Sequence, residues 1–157
     1  MDDGHVEAIC VAPEAGAEMQ RVEEVEAVAG RGLRGDRYFD DSGTWSNDPD
    51  VDDIPRHLTL FEVETLAVLE RDEDLDLSVT DHRRNLTTRG VALDHLLDER
   101  FRIGEAVCEG VRLCEPCSYL ESKTEDGVLS ALVHRGGLNA AIVESGTVRV
   151  EDGIEVL

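Results

Sequence analysis

Arg100-Phe101-Arg102-Ile103-Gly104-Glu105-Ala106-Val107-Cys108-Glu109-Gly110-Val111-Arg112-Leu113 is the stretch that decides the fold class. Apolar residues recur on both sides of Gly104, which predicts a strand over 101–103, a turn at the glycine and a second strand over 106–113. The same pattern recurs outward from this hairpin. Toward the C-terminus, 140–143, 147–150 and 154–157 read as a closing meander with turns at Ser145-Gly146 and Asp152-Gly153. Toward the N-terminus, 5–12 and 20–29 read as strands, the second alternating Val22, Val25 and Val28 imperfectly with glutamates. Residues 57–61 read as a buried strand that runs into an amphipathic helix ending near Arg71, because Val63, Leu66, Ala67 and Glu70 follow at helical spacing. A strand over 82–88 is broken by Gly90, one or two helical turns cover 93–97, and a short helix over 125–133 stops at Gly136-Gly137. Between these elements lie a glycine-punctuated loop at 30–37, a long Asp-, Ser- and Pro-containing loop at 38–55 and an acidic turn at 72–76. Eight or nine short strands with two to three short helices predict a mostly β barrel with helices at its mouth, not a parallel α/β sheet.

Composition narrows the class further. At 157 residues the chain is sized for a single domain, 1–157, with one core. It has no apolar run long enough for a membrane span, and its N-terminus is acidic where a signal peptide would be basic, so the expected location is the cytoplasm. The formal net charge is −21, from 36 acidic and 15 basic residues, and Lys123 is the single lysine. Such a surface repels itself at low ionic strength and is relieved by salt, which reads as a halophile's protein. It also argues against nucleic acid as a partner, since phosphates call for a basic face.

Against that background the arginine clusters stand out. Arg31, Arg34 and Arg37 surround one acid, Asp36, while 82–89 holds Arg83, Arg84 and Arg89 with no acid at all. Guanidinium forks match phosphate oxygens bidentately, so both clusters are candidate anion sites, with neutralisation of nearby carboxylates as the plain alternative. Alternation along the predicted strand points Arg83 and Asn85 to one pocket and Arg84 away from it; Asn85 as a satisfied strand-end amide is the alternative. Of the four cysteines, Cys10 and Cys108 sit in apolar strands as small core residues. Cys114 and Cys117 form a C-x-x-C whose spacing admits a zinc half-site, a redox dithiol or an accident, and the second C-x-x-C that zinc would use is missing. A thiolate near Arg83, Arg84 or Arg102 would have its pKa lowered, as a soft-metal ligand or sulfur carrier requires. His57 and His134 read as structural residues, and Trp45 in the long loop as a loop anchor that could instead stack on a flat ligand.

The ordered series Gly35-Asp36-Arg37, Arg56-His57-Leu58-Thr59-Leu60, Arg83-Arg84-Asn85-Leu86, Arg100-Phe101-Arg102-Ile103-Gly104, Leu113-Cys114-Glu115-Pro116-Cys117 and His134-Arg135-Gly136-Gly137 resembles the MOSC family, the domains related to the C-terminal part of molybdenum cofactor sulfurase. The resemblance is to a small stand-alone member of haloarchaeal type, and implies a MOSC-type β-barrel with a few short helices. It implies that Cys117 is the functional thiol, ligating molybdenum or carrying sulfur as a persulfide. Arg83, Asn85, Arg37, Arg34 and Arg102 would then be cofactor-binding residues toward the pterin edge or phosphate of a molybdopterin-type molybdenum cofactor. Arg84 stands where related segments often carry proline. The implied activity is reduction of small N-hydroxylated compounds such as 6-hydroxylaminopurine, with an electron-donor flavoprotein as partner. The alternative is sulfur carriage to cofactor-assembly proteins; a third reading is a binding module in which Cys117 is a plain buried residue. Larger relatives carry an extra N-terminal β domain for which this chain has no room. Pyridoxal phosphate is not expected, since a Schiff base would rest on Lys123 alone.

Overall fold

The computed structural model describes residues 4–13, 18–36, 57–73, 84–113 and 137–157. Strands β1 (Gly4–Val11), β2 (Gln20–Val22), β3 (Glu24–Val28), β4 (Gly32–Leu33) and β5 (Leu58–Glu62) lead into helix α1 (Val63–Glu73). Strand β6 (Leu86–Arg89), a 3-10 turn (Leu93–Leu96), β7 (Arg100–Ile103), β8 (Ala106–Leu113), β9 (Leu138–Glu144), β10 (Gly146–Arg149) and β11 (Gly153–Val156) complete the order. The main sheet runs β11-β7-β8-β9-β5-β6-β1-β2, and a further β11–β1 pairing closes it into a seven-stranded barrel with β2 hung on the outside of the seam. Only the β5–β6 pair of this sheet is parallel, which is why a helix lies between those two strands in the chain. Strands β10, β3 and β4 form a second, small sheet.

The hairpin about Gly104 forms as predicted, with Phe101 opposite Cys108 and Ile103 opposite Ala106. Its alternation turns Phe101, Ile103, Ala106 and Cys108 into the barrel core. The interior is built in rows: Leu113, Leu138, Leu60, Leu86 and Ile9 are successive register partners, and all but the half-buried Leu113 are sealed from solvent. Burying a side chain of this size contributes about 1.5–3 kcal/mol, so one such row already outweighs any surface ion pair.

Three expectations are corrected. The last three strands are not a meander: β9 pairs with β8 and β5, β10 with β3, and β11 with β7 and β1. A single residue, Ser145, separates β9 from β10, too little for a hairpin, so the chain turns a corner into the second sheet. Gly146 makes that corner possible, because an added Cβ would collide with the Glu105 carbonyl. Asn85 is likewise not on a strand; β6 begins at Leu86 and extends to Arg89, and residues 82 and 83 lie outside the described set. The expected strand over 20–29 is split at Glu23 into β2 and β3. The helix expected over 125–133 lies outside the described residues, among which α1 is the one α-helix.

Candidate functional site

One register step from the leucine row lies a row of different character. Arg112 pairs with Asn139, Asn139 with Thr59, Asn85 bonds Thr59, and the Cys10 N–H donates to the Asn85 carbonyl at 2.7 Å. Because side chains alternate along a strand, this row faces out of the barrel where the leucines face in. Asn139, Asn85 and Cys10 are nevertheless buried.

Asn85 is held from every side. Its Oδ1 accepts the Thr59 N–H at 3.0 Å and the Thr59 hydroxyl at 3.2 Å, and its Nδ2 donates to the Cys10 carbonyl at 3.1 Å. The amide thus stitches β5 to β1 just ahead of β6, the strand-end role weighed as its alternative. Asn139, with 7 % of its surface exposed, differs: its side-chain oxygen is buried and has no donor among the described residues. Burying an acceptor without a donor costs about 1–3 kcal/mol. Beside it, Arg112 is exposed and its guanidinium has no hydrogen-bonded or ionic partner among the described residues. A register shift between Gly110 and Arg112 aligns that arginine with Asn139. The shift is enforced by the 3-10 segment: Gly110 donates to the Glu99 carbonyl, accepts from the Asp98 N–H, and lies so close to the Leu96 carbonyl that a Cβ would collide with it.

The other sequence-derived residues divide. Arg34 pairs with Glu26, Nε to Oε2 at 2.7 Å, on the second sheet. Arg102 faces out of β7 opposite Val107, six residues before Leu113 along β8, about 20 Å away at strand spacing. Neither stands in the polar row. Asp36 is buried, and its Oδ1 accepts the Ala12 N–H at 3.0 Å. That bond brings the Gly35-Asp36 turn to the end of β1, two residues past Cys10 and so beside the segment that leads into Asn85. Arg37, Arg83, Cys114, Cys117, His134 and Trp45 lie outside the described residues.

Within the described set, the two thiols and the His57 imidazole are structural. Burial pushes the Cys108 thiol up to about 12 and raises that of Cys10, so neither is a ready nucleophile. The His57 Nδ1 accepts the Ile142 N–H at 2.8 Å, and burial holds the ring below its usual range. Asn139 escapes a reading of the sequence because it sits among Leu138, Ala140 and Ala141, a run that reads as plain core; an amide inside such a run is the signal that could have found it.

A closed seven-stranded barrel with a polar outer row defines the class. The MOSC domain family model matches residues 54–155, and the chain belongs to that family. Among solved structures, the YuaD protein from Bacillus subtilis has a TM-score of 0.77 at 16 % identity, covering 99 % of this chain and 96 % of that one. YiiM from Geobacillus stearothermophilus has a TM-score of 0.74 at 14 % identity, with 98 % and 75 % covered. YiiM from Escherichia coli has a TM-score of 0.66 at 19 % identity, with 96 % and 69 % covered. At these identities the likeness is one of fold. No curated protein matches the chain in sequence. Among the described residues, no helix is long and apolar enough to cross a membrane.

Proposed function

We propose that this protein acts as a single domain over 1–157 in a saline cytoplasm, binds molybdenum cofactor with Cys117 as the protein ligand to the metal, and reduces small N-hydroxylated compounds with electrons from a partner flavoprotein. The supporting observation is the register of the barrel. Leu113 and Leu86 lie in one row three strand spacings apart, about 14 Å along the sheet. Cys117 is four residues beyond Leu113 and Arg83 three before Leu86, giving reaches of about 14 and 10 Å of extended chain. Together these spans close the gap, so thiolate and guanidinium can face one ligand, and the Asp36–Ala12 bond brings the residue before Arg37 to the end of β1.

The residues present fit such a group. A molybdopterin-type cofactor brings dithiolene ligands of its own to the metal and would take one more, a soft thiolate, from the protein. Arg112, exposed and without a carboxylate partner among the described residues, is open to an anionic or polar organic ligand. When bound, the cofactor supplies two-electron redox chemistry, by which R–NHOH, two electrons and two protons give R–NH2 and water. Cys117 would hold the metal as a thiolate, its charge favoured by Arg83, while Arg83 and Arg37 would neutralise the phosphate. Arg34 and Arg102, given their positions, would act only through the general field.

Metal analysis of protein purified in high salt tests the reading. Molybdenum is expected in the wild type and in Cys114→Ser, and is expected to be lost in a folded Cys117→Ser. A persulfide mass on Cys117 without molybdenum would replace reduction with sulfur carriage. Equal loss in both variants would replace the single ligand with a dithiol.

A further inference from the structure

We infer that the barrel has a built-in opening point: the seam between β1 and β11 parts as a local unit, ahead of global unfolding, and the strained backbone of Glu151 sets how often it does. The inference goes beyond the proposed reaction and depends on no cofactor.

Glu151 has a φ of 77°, in the left-handed region, without being a glycine. It is the third residue of the turn that the Asp152 N–H closes onto the Arg149 carbonyl at 3.0 Å, a position that calls for glycine or asparagine. A residue with a Cβ stays there only because its surroundings hold it. Those surroundings are the seam. The Glu151 N–H donates to the Val6 carbonyl at 2.7 Å and the Val6 N–H donates to the Asp152 carbonyl at 2.9 Å, so two residues leading into β11 face one residue of β1 in a bulge. On its other edge β1 is irregular at the same place, its register with β6 shifting between Val6 and Ala8. Past the bulge the seam is Gly4 with Ile154 and His5 with Gly153, among the described residues the shortest junction of the barrel. No side-chain hydrogen bond or ion pair among the described residues spans it: the Glu7 carboxylate goes to His5 on its own strand and to Arg89 on β6, and the Asp152 carboxylate to the Arg149 N–H.

The result is a barrel with one yielding end. Strain released on opening raises the population of the open form, in which the closed barrel becomes a sheet with two free edges and the buried Val6 and Ile154 are uncovered. Cys10 lies four residues further along β1, about 13 Å away at strand spacing. There the strand is held on both edges, with Ile9 opposite Leu86 on β6, Cys10 opposite Arg21 on β2, and the Cys10 N–H on the Asn85 carbonyl at 2.7 Å. The end of β1 that meets Asn85 and the Asp36 turn therefore stays fixed while the other end moves.

The test is amide hydrogen exchange on the full chain in molar salt, with the Val6 and Cys10 N–H groups as two probes on one strand. Protection at Val6 is expected to be at least about tenfold lower than at Cys10 and nearly independent of low denaturant, whereas protection at Cys10 falls steeply as denaturant favours the more extensive opening. Glu151→Gly, which suits the left-handed backbone, is expected to raise protection at Val6 by about three- to tenfold. Glu151→Ala removes the carboxylate but keeps the Cβ, and is expected to leave Val6 within about twofold of the wild type. Equal protection and equal denaturant dependence at the two amides would mean that the seam opens only with the whole barrel, and would overturn the proposal. So would Glu151→Gly without effect at Val6, or Glu151→Ala acting as strongly as Glu151→Gly, which would make charge and not backbone strain the cause.

Discussion

Asn85 and Asn139 are two buried amides in one row of one barrel, with Thr59 between them, yet they do opposite things. Asn85 spends its side chain on Thr59 and Cys10 and joins strands that would otherwise end in unpaired backbone groups. Asn139 leaves its oxygen open. Burial of a polar group therefore does not by itself make a staple; the state of its hydrogen bonds does, and here the two amides differ in it.

The contrast is broken most severely at Asn85. Asn85→Leu strands the Thr59 N–H and the Cys10 carbonyl, and chemical denaturation should show a loss of about 3 kcal/mol or more. Gly110→Ala comes next: it pushes a methyl against the Leu96 carbonyl, should cost about 2 kcal/mol in chemical denaturation, and should shift the register that sets Arg112 opposite Asn139. Asn139→Leu should reverse the sign, raising stability by about 1 kcal/mol because the orphaned oxygen disappears. A variant that loses stability would make Asn139 a second staple and erase the difference.

The smallest effect is expected at His57. Its folded pKa lies below its unfolded value, so its contribution is present above about pH 6.5 and is lost as pH falls through the folded value, when protonation of Nδ1 removes the acceptor for the Ile142 N–H. The slope of stability against pH below about 6.5 should flatten in His57→Phe. An unchanged slope would take His57 out of the account.

The strands were legible because each carries its own alternation, and the Gly104 hairpin and the step from β5 into α1 needed nothing beyond local pattern. The pairing of the last three strands was not, since Ser145-Gly146 looks like a turn in sequence and acts as a corner only because Glu105 packs against Gly146. The site was half legible. Spacing singled out Asn85 but gave it a ligand, because Thr59 and Cys10 are 26 and 75 residues away in the chain. Arg34 looked available for an anion until folding brought Glu26 to it. Asn139 and Arg112 carried no motif at all; a bulge made them neighbours.

The barrel seam has a consequence for biosynthesis. On one edge of β1, Gly4 and His5 pair with Ile154 and Gly153, nearly 150 residues later in the chain. During translation the first strand must wait with an unpaired margin until the last one leaves the ribosome, and the emerging polypeptide is most prone to stick to its neighbours during that interval. Carboxylates dense enough to push nascent chains apart suit that delay.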